Sequence, residues 1–292
     1  MVKQREVGFK IQFSDRIAEF VTRALLYEVS VTPKPGLVDR ANAGSHQDMD
    51  FYTFLNSAAA LTPYFRKMVE AGIHLSSEKP EKTFFELQEI GKAAESAMYR
   101  VTKNVNTHKG AVFSLGILCG AAGRLRGNGK ELYPEALTEE CIHMTKVPIE
   151  YFFETMGDEP DTSGCRFYRK YGIKGIRGEV MTGFPSVLKE GLPVLEELLD
   201  KGYSFDRAGS ITLLHLIATT VDTNVITRSD YLTCMQIRKG LQKLISSNKI
   251  LSTAMIELLD EEFIRSNISP GGSADLLAVS WFLHFIKSER ME

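Results

Sequence analysis

Glu28 is the first residue whose placement raises a chemical question. It falls on the same helical face as Ile17, Val21 and Ala24, where an ionised carboxylate is costly unless it is paired or bound to a metal. A capping or salt-bridge role and a functional role are equally open from that placement. A loop follows, Thr32-Pro33-Lys34-Pro35-Gly36-Leu37-Val38-Asp39, and then Asn42 to Asp50, in which His46, Asp48 and Asp50 precede a helix beginning near Phe51. An N-cap accounts for one of these carboxylates. It does not account for a lysine, Asp39, His46 and Asp48 arriving together, and Mg²⁺ is commonly held by one or two carboxylates along with substrate phosphates.

Three further segments set polar residues beside apolar helices. Asn106-Thr107-His108-Lys109-Gly110 opens a strongly apolar run. A helix N-terminus with a lysine and a glycine beside it suits a phosphate, whereas Thr107 as a plain N-cap explains one residue of the five. Lys174, Arg177 and Glu179 lie among Gly164, Gly172, Gly175, Gly178 and Gly183, either a phosphate-contacting loop or a surface loop of no special purpose. Nearby, His215, Thr219 and Asp222 share one helical face, followed by Thr223, Asn224 and Arg228; a lone histidine there reads as a core residue. Ser269-Pro270-Gly271-Gly272-Ser273-Ala274-Asp275 is a glycine turn entering the last helix, with Ser273 as the natural N-cap. Gly271, Gly272 and Ser273 also suit a second anion cradle.

Helical periodicity dominates the elements that must position these groups. Amphipathic or buried helices are expected over Ser14 to Val29, Phe51 to Ala71 with a kink at Pro63, Thr83 to Val101, Lys109 to Leu125, Pro134 to Met156, Ser186 to Asp200, Asp206 to Val221, Ser229 to Ser246, Leu251 to Ile264 and Ser273 to Ile286. Lys109 to Leu125 is apolar nearly all round, as a helix at the centre of a bundle should be. Irregular structure is expected over Val31 to Ser45 and Asp158 to Pro185, where turn formers concentrate. The expected fold is all-α: one compact multi-helix bundle over residues 1–292, a central buried helix and glycine-rich site loops.

The 292 residues carry 35 Lys plus Arg against 37 Asp plus Glu, too balanced for a nucleic-acid backbone partner but no obstacle to a small anionic ligand. The first twenty residues alternate charges with single apolar positions and hold no apolar run followed by a small-residue cleavage site, so secretion is not expected. The most apolar stretch, Ala111 to Gly123, falls far short of the roughly 20 residues that span a bilayer. The four cysteines form no CxxC pair and are expected to be reduced thiols of a cytoplasmic protein.

In their order, Glu28 with TPKPGLVDRANAGSHQDM (32–49), NTHKGAVFSLGIL (106–118), GIRGEVMTGFPSV (175–187), DTNVITR (222–228) and NISPGGSADLLA (267–278) resemble the triphosphoribosyl-dephospho-CoA synthase family. Each string alone is weak; together they are specific. Ser45 and Ile268 depart from the Ala and Leu usual there, without touching a polar group.

The resemblance implies transfer of the triphosphoribosyl group of ATP to the ribose 2'-hydroxyl of 3'-dephospho-CoA, with adenine leaving. The product resembles the precursor of the prosthetic group of the citrate lyase acyl-carrier subunit, or that of malonate decarboxylase, which a separate transferase attaches. It also implies Mg²⁺ accompanying ATP, with Glu28, Asp39, Asp48 and Asp222 as candidate ligands. Lys34, Lys109 and Arg177, with Arg228, are the candidate phosphate cations. Glu28, His46 and Asp48 are the candidate catalytic groups, His46 either accepting the 2'-hydroxyl proton or orienting Asp48. The residues do not settle the oligomeric state, and a homodimer is compatible with them. Competing readings are a helical metal-dependent phosphohydrolase and a non-catalytic nucleotide-binding regulator.

Overall fold

The computed structural model describes residues 2–157, 163–247 and 251–289. Among them the chain forms thirteen α-helices: α1 (Val2–Ser30), α2 (Phe51–His74), α3 (Pro80–Val101), α4 (Lys109–Gly127), α5 (Pro134–Thr155), α6 (Ser163–Tyr171), α7 (Gly175–Met181), α8 (Leu192–Asp200), α9 (Phe205–Thr219), α10 (Thr223–Arg228), α11 (Tyr231–Ser247), α12 (Thr253–Arg265) and α13 (Gly271–Ser288). A π-helical turn over Val187–Gly191 leads into α8. No helix among the described residues is long and apolar enough to cross a membrane.

The apolar run at α4 becomes the centre of the bundle, buried continuously from Ala111 to Leu125 except at Phe113, with α2, α3, α5 and α13 packed around it. Small residues let α2 and α4 touch: a Cβ on Gly123 would lie 2.1 Å from the Val69 carbonyl oxygen, and one on Gly72 2.2 Å from that of Gly120. One ion pair is buried in this layer, with Arg124 Nε 2.5 Å from Glu140 Oε1 while Arg124 Nη1 donates to the Leu75 carbonyl. That guanidinium ties the α2–α3 turn to α5 through the central helix. The second half of the chain packs through α13, which lies against α1, α4, α8 and α9. Its Trp281 is fully buried against Tyr27, Phe205 and Phe285.

Several expectations need correction. The glycine segment 158–185 is not one irregular loop: α6 and α7 form within it, punctuated by Gly172 and Gly175 at positive φ, and 158–162 lies outside the described residues. The helix expected from Ser229 is preceded by a separate turn, α10, because Asp222 caps it by accepting from the Asn224 and Val225 amides. The last helix starts at Gly271, so Ser273 is not its N-cap. Thr107 is not the N-cap of α4 either; His108 holds that position. The α2 helix, with Pro63 inside it, ends at His74 rather than at Ala71.

Candidate functional site

The irregular structure expected over Val31 to Ser45 is present and continues to Asp50, and the polar groups of this strap hold its shape. Asp39 accepts backbone amides from Lys34 at 3.1 Å, Ala41 at 2.7 Å and Asn42 at 3.0 Å. Asp260 of α12 accepts the Gly36 amide at 2.8 Å and Asn42 Nδ2 at 2.9 Å. Gly36 sits at φ +70°, and a Cβ there would lie 2.1 Å from the Ile268 carbonyl oxygen, so only glycine lets the strap lie against the turn before α13.

This strap, the N-termini of α4, α10 and α13, and α7 surround a cavity of about 590 Å³. Of the residues singled out from sequence, Glu28, Lys34, His46, Asn106, Thr107, His108, Lys109, Gly110, Asp222, Arg228, Gly271 and Gly272 line it. Asp39, Asp48, Arg177 and Ser273 are not on its wall. Asp39 knots the strap; Asp48 is largely exposed, 3.7 Å from His46 Nδ1. Arg177 turns toward the rings of Phe152 and Phe113, and Ser273 hydrogen-bonds Asp222 behind the wall.

Glu28 finds its partner inside the chain. Its Oε1 accepts from Lys34 Nζ at 2.5 Å, and both side chains are almost wholly buried. Burial pushes the Glu28 carboxyl above the ordinary carboxylate range, and the Lys34 ammonium pulls it back. Each is the other's charge partner on the cavity wall.

At α13, the second anion cradle is filled by the protein itself. Asp222 Oδ2 accepts from the Ser273 amide at 2.7 Å and its hydroxyl at 3.0 Å, a carboxylate at a helix N-terminus. Burial raises the Asp222 pKa against these hydrogen bonds.

The α4 N-terminus is more open. Asn106 Oδ1 accepts the Lys109 amide at 3.2 Å, and Lys109 Nζ reaches Glu95 Oε2 at 3.1 Å while remaining half exposed. Facing this helix end is a residue that sequence reasoning passed over, Asp275, one turn into α13. A Cβ on Gly110 would lie 1.9 Å from Asp275 Oδ2, so glycine at 110 is what lets the carboxyl approach α4. Desolvation pushes this carboxyl well above its ordinary value, with Glu28 and Asp222 adding repulsion and the Ala111 amide opposing it. An acid near the start of a mostly apolar helix was the available signal.

The two histidines differ. His46 uses both ring nitrogens: Arg228 Nη2 donates to Nδ1 at 3.1 Å, so Nε2 carries the proton toward Ser269 Oγ at 2.8 Å. In this arrangement His46 has no lone pair to accept a substrate proton, and Arg228, which also donates to the Ser45 carbonyl and Asn267 Oδ1, serves as a clamp between strap and turn. His108 is 3% exposed. Thr107 Oγ1 donates to Ser57 Oγ at 2.8 Å, and Ser57 lies 2.7 Å from His108 Nδ1. With the Ser57 hydroxyl donating to Nδ1, Nε2 is an N–H donor, and it has no partner in the protein.

Burial, reinforced by Lys34, lowers the His108 pKa to about 3. The unfolded chain therefore takes up this proton first, near pH 6.5, and stability must fall as pH drops below that value. Between pH 7 and pH 5 the folded protein should lose about 2 kcal/mol through this one group. Denaturant unfolding at both values, for wild type and His108→Gln, should show a loss about that much larger in the wild type; equal losses would contradict a neutral buried imidazole.

Residues 14–292 match the model of the CitG family, described as ATP:dephospho-CoA triphosphoribosyl transferase. The chain is 38% identical over 273 residues to the 2-(5''-triphosphoribosyl)-3'-dephosphocoenzyme-A synthase of Pectobacterium atrosepticum, a match covering 94% of this chain and 90% of that one. It is 36% identical over 273 residues to the protein of that name from Klebsiella pneumoniae, covering 92% and 90%. A crystal structure from Archaeoglobus fulgidus, described by inference as a triphosphoribosyl-dephospho-CoA synthase, aligns with a TM-score of 0.52 over 81% of this chain and 100% of that one. At 19% identity that likeness is one of fold.

Proposed function

The chain belongs to the CitG family of ATP:dephospho-CoA triphosphoribosyl transferases, and from that membership we propose that the cavity between the strap, α4, α10 and α13 is its active site. The enzyme transfers the triphosphoribosyl group of ATP to the ribose 2'-hydroxyl of 3'-dephospho-CoA. The bond from C1' of ATP to the adenine nitrogen breaks, C1' bonds to the acceptor oxygen, the hydroxyl proton passes to a base, and adenine leaves carrying a proton.

The observation that carries this site assignment is the meeting, in one cavity, of the open cation-flanked N-terminus of α4 with the raised Asp275 carboxyl. The helix end and Lys109 suit the triphosphate. Asp275 suits the reacting riboses, as base toward the 2'-hydroxyl and as negative charge beside an oxocarbenium-like C1'. His108, neutral and with a free Nε2–H, suits hydrogen bonding to a ring nitrogen of departing adenine.

Among the described residues no group of three or more His, Cys, Asp or Glu is arranged to hold a metal ion, and Glu28, Asp39 and Asp222 already have partners. That donor set does not fit a resident metal. In this reading magnesium enters with ATP as part of the substrate, its ligands chiefly phosphate oxygens and water. Residues 1–292 are read as one domain, supported by the continuous core, and a cytosolic setting is supported by four buried cysteines that form no disulfide. Delivery of the product to a separate transferase for the citrate lyase or malonate decarboxylase carrier subunit rests on the family resemblance.

Incubating the purified protein with ATP, Mg²⁺ and 3'-dephospho-CoA should release free adenine in step with acceptor consumption. Phosphate without adenine would mark a phosphohydrolase instead, and binding without either product a regulator.

A further inference from the structure

The acceptor extends well beyond its reacting end. 3'-Dephospho-CoA is an adenosine, then a diphosphate, then a neutral arm with a gem-dimethyl group, two amides and a thiol. Cavities of roughly 300–1,000 Å³ enclose one drug-sized ligand, and the 590 Å³ cavity must already receive the triphosphate and two riboses.

A second cavity of about 530 Å³ lies on the other side of the same two helices. On α4, Lys109 and Gly110 face the first cavity while Val112, Phe113 and Gly116 face the second. On α7, Ile176 and Gly178 face the first and Arg177 the second. The Lys109 to Glu95 ion pair, 3.1 Å long, joins the two walls. The second wall is mostly aromatic and aliphatic, with Gln88, Lys92, Glu95, Thr155 and Arg177 as its polar groups. At its edge the Arg177 guanidinium lies 4.8 Å from the Phe152 ring centre and 5.9 Å from that of Phe113.

Resting on the reaction assigned above, we propose that this second cavity takes the pantetheine arm of 3'-dephospho-CoA, with Arg177 receiving the diphosphate between the two cavities. A guanidinium on a mostly apolar wall, next to the cavity assigned to the reacting riboses, matches the succession of diphosphate and neutral arm along the acceptor. Apolar walls with a few amide partners suit a neutral arm, and a planar guanidinium fixed over aromatic rings suits phosphate oxygens.

Gly91 allows the arm to be excluded without disturbing the first cavity. It lies within α3 on the wall of the second cavity, and a Cβ there would meet nothing nearer than Met68 Cε at 4.0 Å. A side chain larger than glycine also favours the helix. In steady-state adenine-release assays Gly91→Leu should raise KM for 3'-dephospho-CoA about tenfold, leaving KM for ATP and kcat at saturating acceptor within about twofold. Gly91→Ala should stay close to wild type, and melting temperatures should confirm that both variants fold. An unchanged KM for the acceptor in folded Gly91→Leu would overturn the subsite, as would parallel loss in kcat and both KM values. Failure of the wild type to release adenine with 3'-dephospho-CoA would instead overturn the reaction, and the subsite with it.

Discussion

Asp275→Asn is expected to lower adenine release by about 100- to 1,000-fold while the chain folds at least as stably as wild type. The rate falls because the amide keeps the shape of the side chain but neither takes the 2'-hydroxyl proton nor offers charge to C1'. Stability does not fall, because the carboxyl is held among Glu28 and Asp222 with its pKa raised by burial. A carboxyl whose folded value is raised costs the folded state as pH rises above the unfolded value. The stability gained by the variant should therefore be larger at pH 8 than at pH 5. Thermal melts at the two pH values and adenine release on one preparation check both halves. Wild-type turnover in the variant would remove Asp275 from the reaction, and a loss of rate matched by a loss of folded protein would make its role structural.

Why Asp275 escaped the sequence reading follows from how its surroundings are built. With Ser273 taken as an N-cap, an aspartate two residues later is an ordinary first-turn acid, favoured by the helix dipole. Its significance arises only when α13 meets the N-terminus of α4 at Gly110, a contact that no local pattern encodes. The helices were legible because their apolar faces repeat at helical spacing. Their boundaries moved where a remote partner supplied the cap, as Asp222 does for α10. The strap was legible as a loop, but its acids were not separable into structure and site. Asp39 and Asp48 look alike in the chain, yet one closes the strap on three amides and the other faces solvent beside His46. His46 read equally as a base, for which a histidine near acids has the right intrinsic pKa, and as a group orienting Asp48; Arg228, far along the chain, occupies the nitrogen that the first role needs.

Lys34→Met is expected to destabilise the protein by about 3–5 kcal/mol, the usual consequence of removing one partner of a buried ion pair. Lys34 is 1% exposed and Glu28 4%, so the orphaned carboxylate has no water to turn to and must take up a proton to remain buried. Glu28→Gln alone leaves the ammonium in the same position and should cost a comparable amount. The double variant Glu28→Gln with Lys34→Met removes both charges, and its stability should recover most of the sum of the two losses, since a buried pair contributes little net stability beyond a well-packed neutral replacement. Denaturant midpoints on the four proteins give the coupling between the two sites. Adenine release per folded molecule gives the second axis. A structural pair predicts a large coupling in stability, with the folded double variant retaining turnover within about tenfold of wild type. If Lys34 instead holds the triphosphate, Lys34→Met should fold with a near-normal midpoint and show a raised KM for ATP, and the double variant should recover nothing. The 2.5 Å contact between Glu28 and Lys34 favours the first pattern, because it gives each buried charge its partner within the chain.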